Sequence, residues 1–400
     1  MEIAIAGTGC SLMDYLFTGV DFSGPAFARY RSREPGDGGL VPGHLVFVEG
    51  LERFSGGPYQ RVLREITGGA PPASSNLGGP SVVALVHAAQ LLAPAGVPTR
   101  FYGVRGNDAT GAELAGIISR TPLHWENYLQ QPGASPFTHA LSDPRWDNGA
   151  GERSFVNSTG VAAEYHATDI EDSFFDHEIL AFGGTALVPA LHSELHRPVV
   201  RGHQAGALTV VNTVYDFLNE SRSPDRPWPL GDTSETLSAT DLLIVDAEEA
   251  RRLSGIDDPW TAAERFVSSG VSAVIITRGA EDLVAVAAGG RFHTLEARSF
   301  PVSRRIREEL RSGAGADGDT TGCGDNFVGG VLYALAEQMR SGERHLDLYH
   351  AISWGVASGG YACFSLGGTR LERRRGEKLE AITDYVRAFR EQLGAGTGDA

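Results

Sequence analysis

The chain has 400 residues, 42% of them apolar and 21% charged, with a formal net charge of −16. Such values exclude a disordered chain and argue against polyanionic partners, so neither nucleic acid nor an anionic membrane surface is expected. Cys10, Cys323 and Cys363 are too few and too scattered for a disulfide framework or a C-x-x-C zinc site, and no apolar run is long enough to span a bilayer.

The opening "MEIAIAGTGC" lacks the basic and long apolar regions of a signal peptide, so a cytoplasmic location is expected. Strands are predicted at 3–6, 99–104, 208–211, 242–245 and 273–277. None alternates polar with apolar, which is how strands buried on both faces of a parallel sheet read. Helical patterns lie between them. Residues 80–96 carry Pro80 near the start and a Pro/Gly stop, residues 246–255 end on glycine, and residues 326–339 place Phe327, Val331, Leu335 and Met339 on one face. This alternation predicts one α/β domain over 1–400, a doubly wound, mainly parallel sheet flanked by helices.

Two stretches break the rhythm. Residues 15–76 are rich in Gly, Pro and Arg with one predicted strand in "HLVFVEG", and residues 136–165 read as polar strands separated by turns. Both are too long for plain connections and are expected to form a small β-rich lid over one edge of the main sheet. A lid with exposed strand edges also invites pairing with a second copy, a homodimer. Residues 303–318 read as an insertion, either a mobile loop or a short helix, and 394–400 as a disordered tail.

Chemistry concentrates in "GDTTGCGDNFVGG" at 318–330. Glycines 322 and 324 let backbone amides converge, and the helix that follows adds its positive end. Together they suit a phosphate or a developing anion. Asp325 beside that point can take a proton from a hydroxyl while the amides hold the group under attack. The plain alternative is an acidic residue complementing a helix dipole after a glycine turn. A Cys323 thiolate nucleophile has no Cys/His motif to support it.

"DTTGCGDNF" resembles the C-terminal signature of the ribokinase-like (PfkB) carbohydrate kinases, D-T-x-G-A-G-D-x-F, with Cys323 in the alanine place. Further stretches are similar in the same order. "GTGCSLMD" resembles the first strand and the substrate-binding aspartate, here Asp14; "LGGPSVV" the family's G-G stretch; and "GVRGNDATG" its G-x-D-x-x-G. "DLLIVDAEEARRLSG" resembles the N-x-x-E segment associated with magnesium and phosphate, and "VIITRGAEDLVAV" the T-x-G turn bordering the nucleotide.

The resemblance implies ATP-dependent phosphoryl transfer to a hydroxyl, expected to be primary, of a sugar or a nucleoside. It makes Asp325 the general base and the amides of Gly322, Cys323 and Gly324 the anion hole. Asp14, Asn76, Gly78 and Gly79 would meet the substrate, with Asp325. Asp246, Thr277, Gly279, Thr320, Gly322 and Gly324 would border ATP, and Glu249 would lie near Mg2+. The family includes potassium-dependent members, so a monovalent cation stays open.

Several positions depart from the pattern or have plainer readings. Val83 stands for the family's frequent asparagine, Asp246 for another, and Val356 for a third in "SWGVASGGYA". "DAEE" equally fits a helix start with Asp246 as N-cap and Glu249 closing a capping box. Asp14 could be a solvated turn residue, and Asn76, Gly78 and Gly79 could merely precede a helix. Arg153 could close over a phosphate or sit in a wet hairpin; Arg29, Arg31 and Arg33 could meet a substrate phosphate or form a solvated face. A dinucleotide fingerprint fails at Leu12, and no P-loop is present. The remaining alternative is a non-catalytic sugar or nucleotide-binding regulator on the same fold.

Overall fold

Runs of Ile, Val, Leu and Ala without alternation build the centre of the protein, and the computed structural model describes residues 3–396 except 35, 150 and 316–317. In chain order the strands are β1 Ile5–Gly9, β2 Leu12–Thr18, β3 Leu45–Phe47, β4 Ser74–Gly78, β5 Thr99–Gly106, β6 Tyr128–Gln131 and β7 Phe137–Asp143. They continue with β8 Glu152–Ser158, β9 Ile179–Gly183, β10 Leu208–Asn212, β11 Leu242–Asp246, β12 Ala273–Thr277, β13 Leu283–Ala287 and β14 Leu295–Phe300.

The main sheet has nine strands in the order β14-β13-β12-β11-β10-β9-β1-β5-β6. Pairing is parallel from β6 to β12 and antiparallel only through β13 and β14. Apolar residues fill both faces. One core joins Ile5, Ile179 and Ile275 to the helices Pro80–Leu92, Cys323–Arg340 and Leu348–Ala362. The other joins Phe182, Val211 and Ile276 to the opposite helical layer. The helix Pro80–Leu92 is buried on every side, polar His87 and Gln90 included. Val356 is a core residue of the helix Leu348–Ala362.

A second sheet of five strands, β3-β8-β7-β2-β4, stands beside the first. β2 follows β1 after two residues, so the chain passes directly from the middle of the large sheet into the small one. The small sheet is less purely β than expected, because residues 15–76 also hold the helices Pro25–Tyr30, Val48–Ser55 and Tyr59–Thr67. Tyr59, Val62 and Ile66 bury one face of the last, a helical spacing masked by Arg and Gly composition. The strand expected through "HLVFVEG" stops at Phe47, where Val48 starts the helix that buries Leu51.

The other departures are local. β9, a fully buried strand beside β1, was missed between short turns. Residues Arg304–Arg311 form the short helix of the two alternatives for that insertion. The last helix runs to Gly396, into the stretch expected to lack structure, and 397–400 lie outside the described residues. No helix among the described residues is long and apolar enough to cross a membrane.

Candidate active site

The parallel strands β1, β9, β10, β11 and β12 end together, and in open α/β sheets that carboxyl edge is where ligands gather. The loop 318–322 and the start of the helix Cys323–Arg340 bring the predicted residues there. Helix formation begins at Cys323, three residues before the expected start, because Gly322 at φ 72° caps it. A Cβ on Gly322 would lie 2.4 Å from Gly368 Cα, so the position requires glycine for both backbone and space. Asn326, which sequence reasoning passed over, braces this turn by donating to the carbonyls of Gly322 and Gly368, each at 2.8 Å. Asp319 was also overlooked, although it is the first letter of the motif. Its carboxylate accepts from the Thr321 amide (3.1 Å), the Thr321 hydroxyl (2.9 Å) and the Gly367 amide (3.1 Å).

Of the three amides assigned to the anion hole, that of Cys323 donates to the Thr320 carbonyl at 3.3 Å and closes the turn. Among the described residues no acceptor meets the amides of Gly322, Gly324 or Asp325. These three are free at the positive end of an 18-residue helix. Gly324 is exposed, and a Cβ there would touch nothing, so the turn faces open space.

Asp325 is half-buried, and no group among the described residues donates to its carboxylate. Burial raises its pKa from 3.8 to about 6. Asp14, half-buried on β2 and likewise without a donor, is raised to about 7 by burial and then by the charges of Asp325 and Asp319. That repulsion reflects two carboxylates close to one another, and Asp14, on β2, is no solvated turn residue. Gly78 makes room for it: a Cβ there would be 2.0 Å from Asp14 Oδ2.

Register extends this polar point into a row. Asp14 lies between Asn76 on β4 and Thr138 on β7, and Thr138 faces Asn157 on β8. Asn157 is 1% exposed; it donates to Thr138 Oγ1 at 2.9 Å, and its Oδ1 has no partner. Thr138 and Asn157 were not singled out from the sequence, since only the strand register aligns them with Asp14. Asn76 donates to the Leu366 carbonyl at 3.1 Å, which ties the small sheet to the loop beside Gly368. Gly79 precedes the helix Pro80–Leu92 at φ 99°. Val83 is buried against the position of Gly368. Arg153 meets neither solvent alone nor an open cleft: both terminal nitrogens lie 3.4 Å from Asp319 Oδ2, joining the small sheet to the glycine loop.

Among the residues expected to border ATP, Asp246 and Thr277 are parallel partners at the ends of β11 and β12. Gly279, exposed at φ 61°, turns the chain toward β13. Thr320 is exposed on the loop. Asp246 and Glu249 do form the capping box: Glu249 N donates to Asp246 Oδ1 (2.7 Å) and Asp246 N to Glu249 Oε2 (2.9 Å). Glu249, 7% exposed, also accepts from Thr213 Oγ1 at 2.6 Å. Its pKa rises to about 7 through burial, then the charge of Asp246, with Asp325 adding to it. Arg29 pairs with Glu65 at 2.6 Å on the surface, while Arg31 and Arg33 lie over the rings of Trp146 and Phe54. A cavity of about 400 Å³ elsewhere, bordered by Gln90, Arg120 and Arg373–Arg375, includes none of these carboxylates.

Residues 78–373 match the family described as pfkB family carbohydrate kinase, from the G-G stretch through the glycine loop. The chain belongs to that family. Solved structures share the pfkB fold at low identity. A probable sugar kinase from Rhizobium etli CFN 42 is 18% identical, covers 96% of this chain and 98% of its own, and has a TM-score of 0.68. The adenosine kinase of Schistosoma mansoni in complex with 2-fluoroadenosine is 17% identical over 93% and 98%, with a TM-score of 0.68. The ribokinase of Thermotoga maritima is 16% identical over 96% and 99%, with a TM-score of 0.60. No curated protein sequence matches the chain. Membership in that family makes it a kinase of the carbohydrate kinase class.

Proposed function

We propose that the protein transfers the γ-phosphoryl group of ATP to a hydroxyl of a sugar or sugar-like small molecule. One observation carries this reading: Asp14 and Asp325 are neighbouring, half-buried carboxylates without a protein donor, beside three free amides. Burying two such charges unpaired costs free energy, which a hydroxyl donating to them would recover, while a phosphate would accept from the free amides. Asp14 orients the hydroxyl. Asp325 takes its proton as the oxygen attacks. The amides of Gly322, Gly324 and Asp325 hold the oxygens of the migrating group, and ADP leaves on the side of Asp246, Thr277 and Gly279. The small sheet serves as the lid, with Arg153 and Asp319 as its fastening.

Among the described residues no three His, Cys, Asp or Glu side chains form a cage for a metal ion. Asp246 and Glu249 supply the hard carboxylate oxygens that suit Mg2+, an ion that keeps much of its water and leans on substrate phosphates. Glu249 would be its outer protein contact, since one carboxylate already receives Thr213 and Asp246. When bound, the ion neutralises charge on the phosphate oxygens.

The row Asn76, Asp14, Thr138 and Asn157 suits the hydroxyls of a polyol. One step along the same strands, half-buried Leu16, Ala140 and Phe155 are register partners. This apolar strip favours a second reading, an acceptor that carries a base, and the adenosine kinase neighbour is compatible with it. A panel of free sugars, sugar phosphates and nucleosides, scored by acceptor-dependent ADP release, tests the proposal. Turnover with one class is expected. Binding of ligands without ADP release would instead make the protein a regulator.

A further inference from the structure

Where the pfkB signature has alanine, this chain has Cys323, and its Sγ lies 3.2 Å from that of Cys363. Both are free thiols, and both are half-buried. They meet because two helices approach closely at this point. Cys323 opens the helix Cys323–Arg340, and Cys363 caps the end of the helix Leu348–Ala362. A Cβ on Gly359, one turn before Cys363, would be 2.9 Å from the Cys323 carbonyl oxygen. A Cβ on Gly318 would be 2.1 Å from the Cys363 carbonyl oxygen, so the glycine loop rests on the same turn.

We propose that Cys323 and Cys363 are an oxidative modification site: a hydroperoxide closes them into a disulfide, which displaces the turn holding the free amides and slows phosphoryl transfer. The consequence for turnover rests on the kinase reading; the bond itself does not. Cys363 attacks first. Its sulfur forms an S–O bond as the peroxide O–O bond breaks, and the alcohol or water leaves. Cys323 sulfur then attacks Cys363 sulfur; the S–S bond forms, the S–O bond breaks, and the hydroxide takes the Cys323 proton as water. Two thiols thus give two electrons to one peroxide. Hydrogen bonding from Cys323 lowers the pKa of the Cys363 thiol, which favours it as the attacking thiolate. Burial pushes the third thiol, Cys10, up, so it serves as the unreactive internal reference.

Closing the pair requires the sulfurs to approach by roughly 1 Å, to a bond of about 2 Å. Cys323 sits between Gly322 and Gly324, so part of that movement falls on the amides and on Asp325. A displacement on the order of 1 Å at such a site can cost about a hundredfold in rate; with the movement shared between two helices, a loss of about tenfold or more is expected.

The test uses the purified full chain, limited hydrogen peroxide, and N-ethylmaleimide to trap remaining thiols. Trypsin should release residues 312–340 and 345–370 joined and two hydrogens lighter, with Cys10 still alkylated. Dithiothreitol should separate them and restore acceptor-dependent ADP release. Cys363→Ser should keep the basal turnover, form no joined peptide and resist peroxide. Alkylation of both thiols after treatment, or sulfinic acid at Cys363 without joining, would overturn the proposal, and this is read without any activity. Joined peptides with unchanged turnover would overturn its second half.

Discussion

Replacing Asp325 by asparagine should slow the protein and stabilise it at once. The substitution keeps shape and removes the charge that burial opposes. General-base removal costs about 10²–10⁴ in kcat, with ligand binding retained. The stability side follows from the raised pKa, from 3.8 to about 6. At about 1.4 kcal/mol per unit this is a ceiling of about 3 kcal/mol; because Asp325 is only half-buried, about 1–2 kcal/mol is the working figure. In a folded state with a raised carboxylate pKa, the contribution to stability is full below about pH 4 and is lost as pH rises through about 6. The Asn variant should therefore match the wild type near pH 4 and exceed it above pH 7, by about 2 °C in Tm. In the wild type only about a tenth of Asp325 is ionised at pH 5, so kcat/KM should fall steeply below pH 6. Protonation of Asp14, raised to about 7, steepens that limb, and the apparent values belong to the pair. Steady-state kinetics from pH 5 to 8 and thermal melts of both proteins supply the readings. An Asn variant within threefold of wild-type kcat, or a flat kcat/KM profile, would refute the reasoning.

Gly324→Val should fold normally, since a Cβ there touches nothing, yet lose turnover by filling the mouth of the helix; normal kinetics would remove the amides from the account. Gly322→Ala should instead lose stability by at least about 1 kcal/mol, because it combines φ 72° with a 2.4 Å approach to Gly368; an unchanged melt would contradict this. Arg153→Ala removes a pair whose arginine is 37% exposed, so stability should change by less than about 1 kcal/mol while the acceptor KM rises several-fold. Unaltered KM would leave that contact as surface decoration. Glu249→Gln keeps an acceptor for Asp246 and Thr213 and removes a charge that burial opposes, so above pH 7 it should melt at or somewhat above the wild type but need several-fold more Mg2+ for half-maximal rate; an unchanged Mg2+ requirement would restrict Glu249 to capping.

The sequence made the parallel sheet legible because its strands are buried on both faces and read as continuous apolar runs. "AVIIT" at 273–277 coincides with β12 to the residue. β9 escaped because "ILAFG" has a single β-branched residue, where "AVIIT" has four, and runs straight into a second glycine and a turn. The helices of 15–76 escaped because their buried faces, Tyr59, Val62 and Ile66, are spaced among arginines. At the site, the glycine loop and Asp325 were legible because a helix start leaves a strong local signature. Thr138, Asn157 and the pairing of Arg153 with Asp319 were not, because they depend on strand register and on contacts across 166 residues of chain. The close approach of Cys323 and Cys363 has the same origin: their 40-residue separation carries no local signal until two helices pack.

The most direct test follows the fate of the γ-phosphoryl group itself. With γ-labelled ATP and the acceptor chosen from the panel, the label should appear as a phosphate ester of that acceptor, formed by the wild type and nearly absent with Asp325→Asn. Label released as inorganic phosphate whether or not an acceptor is present, or ester formed equally by the Asn variant, would contradict the account.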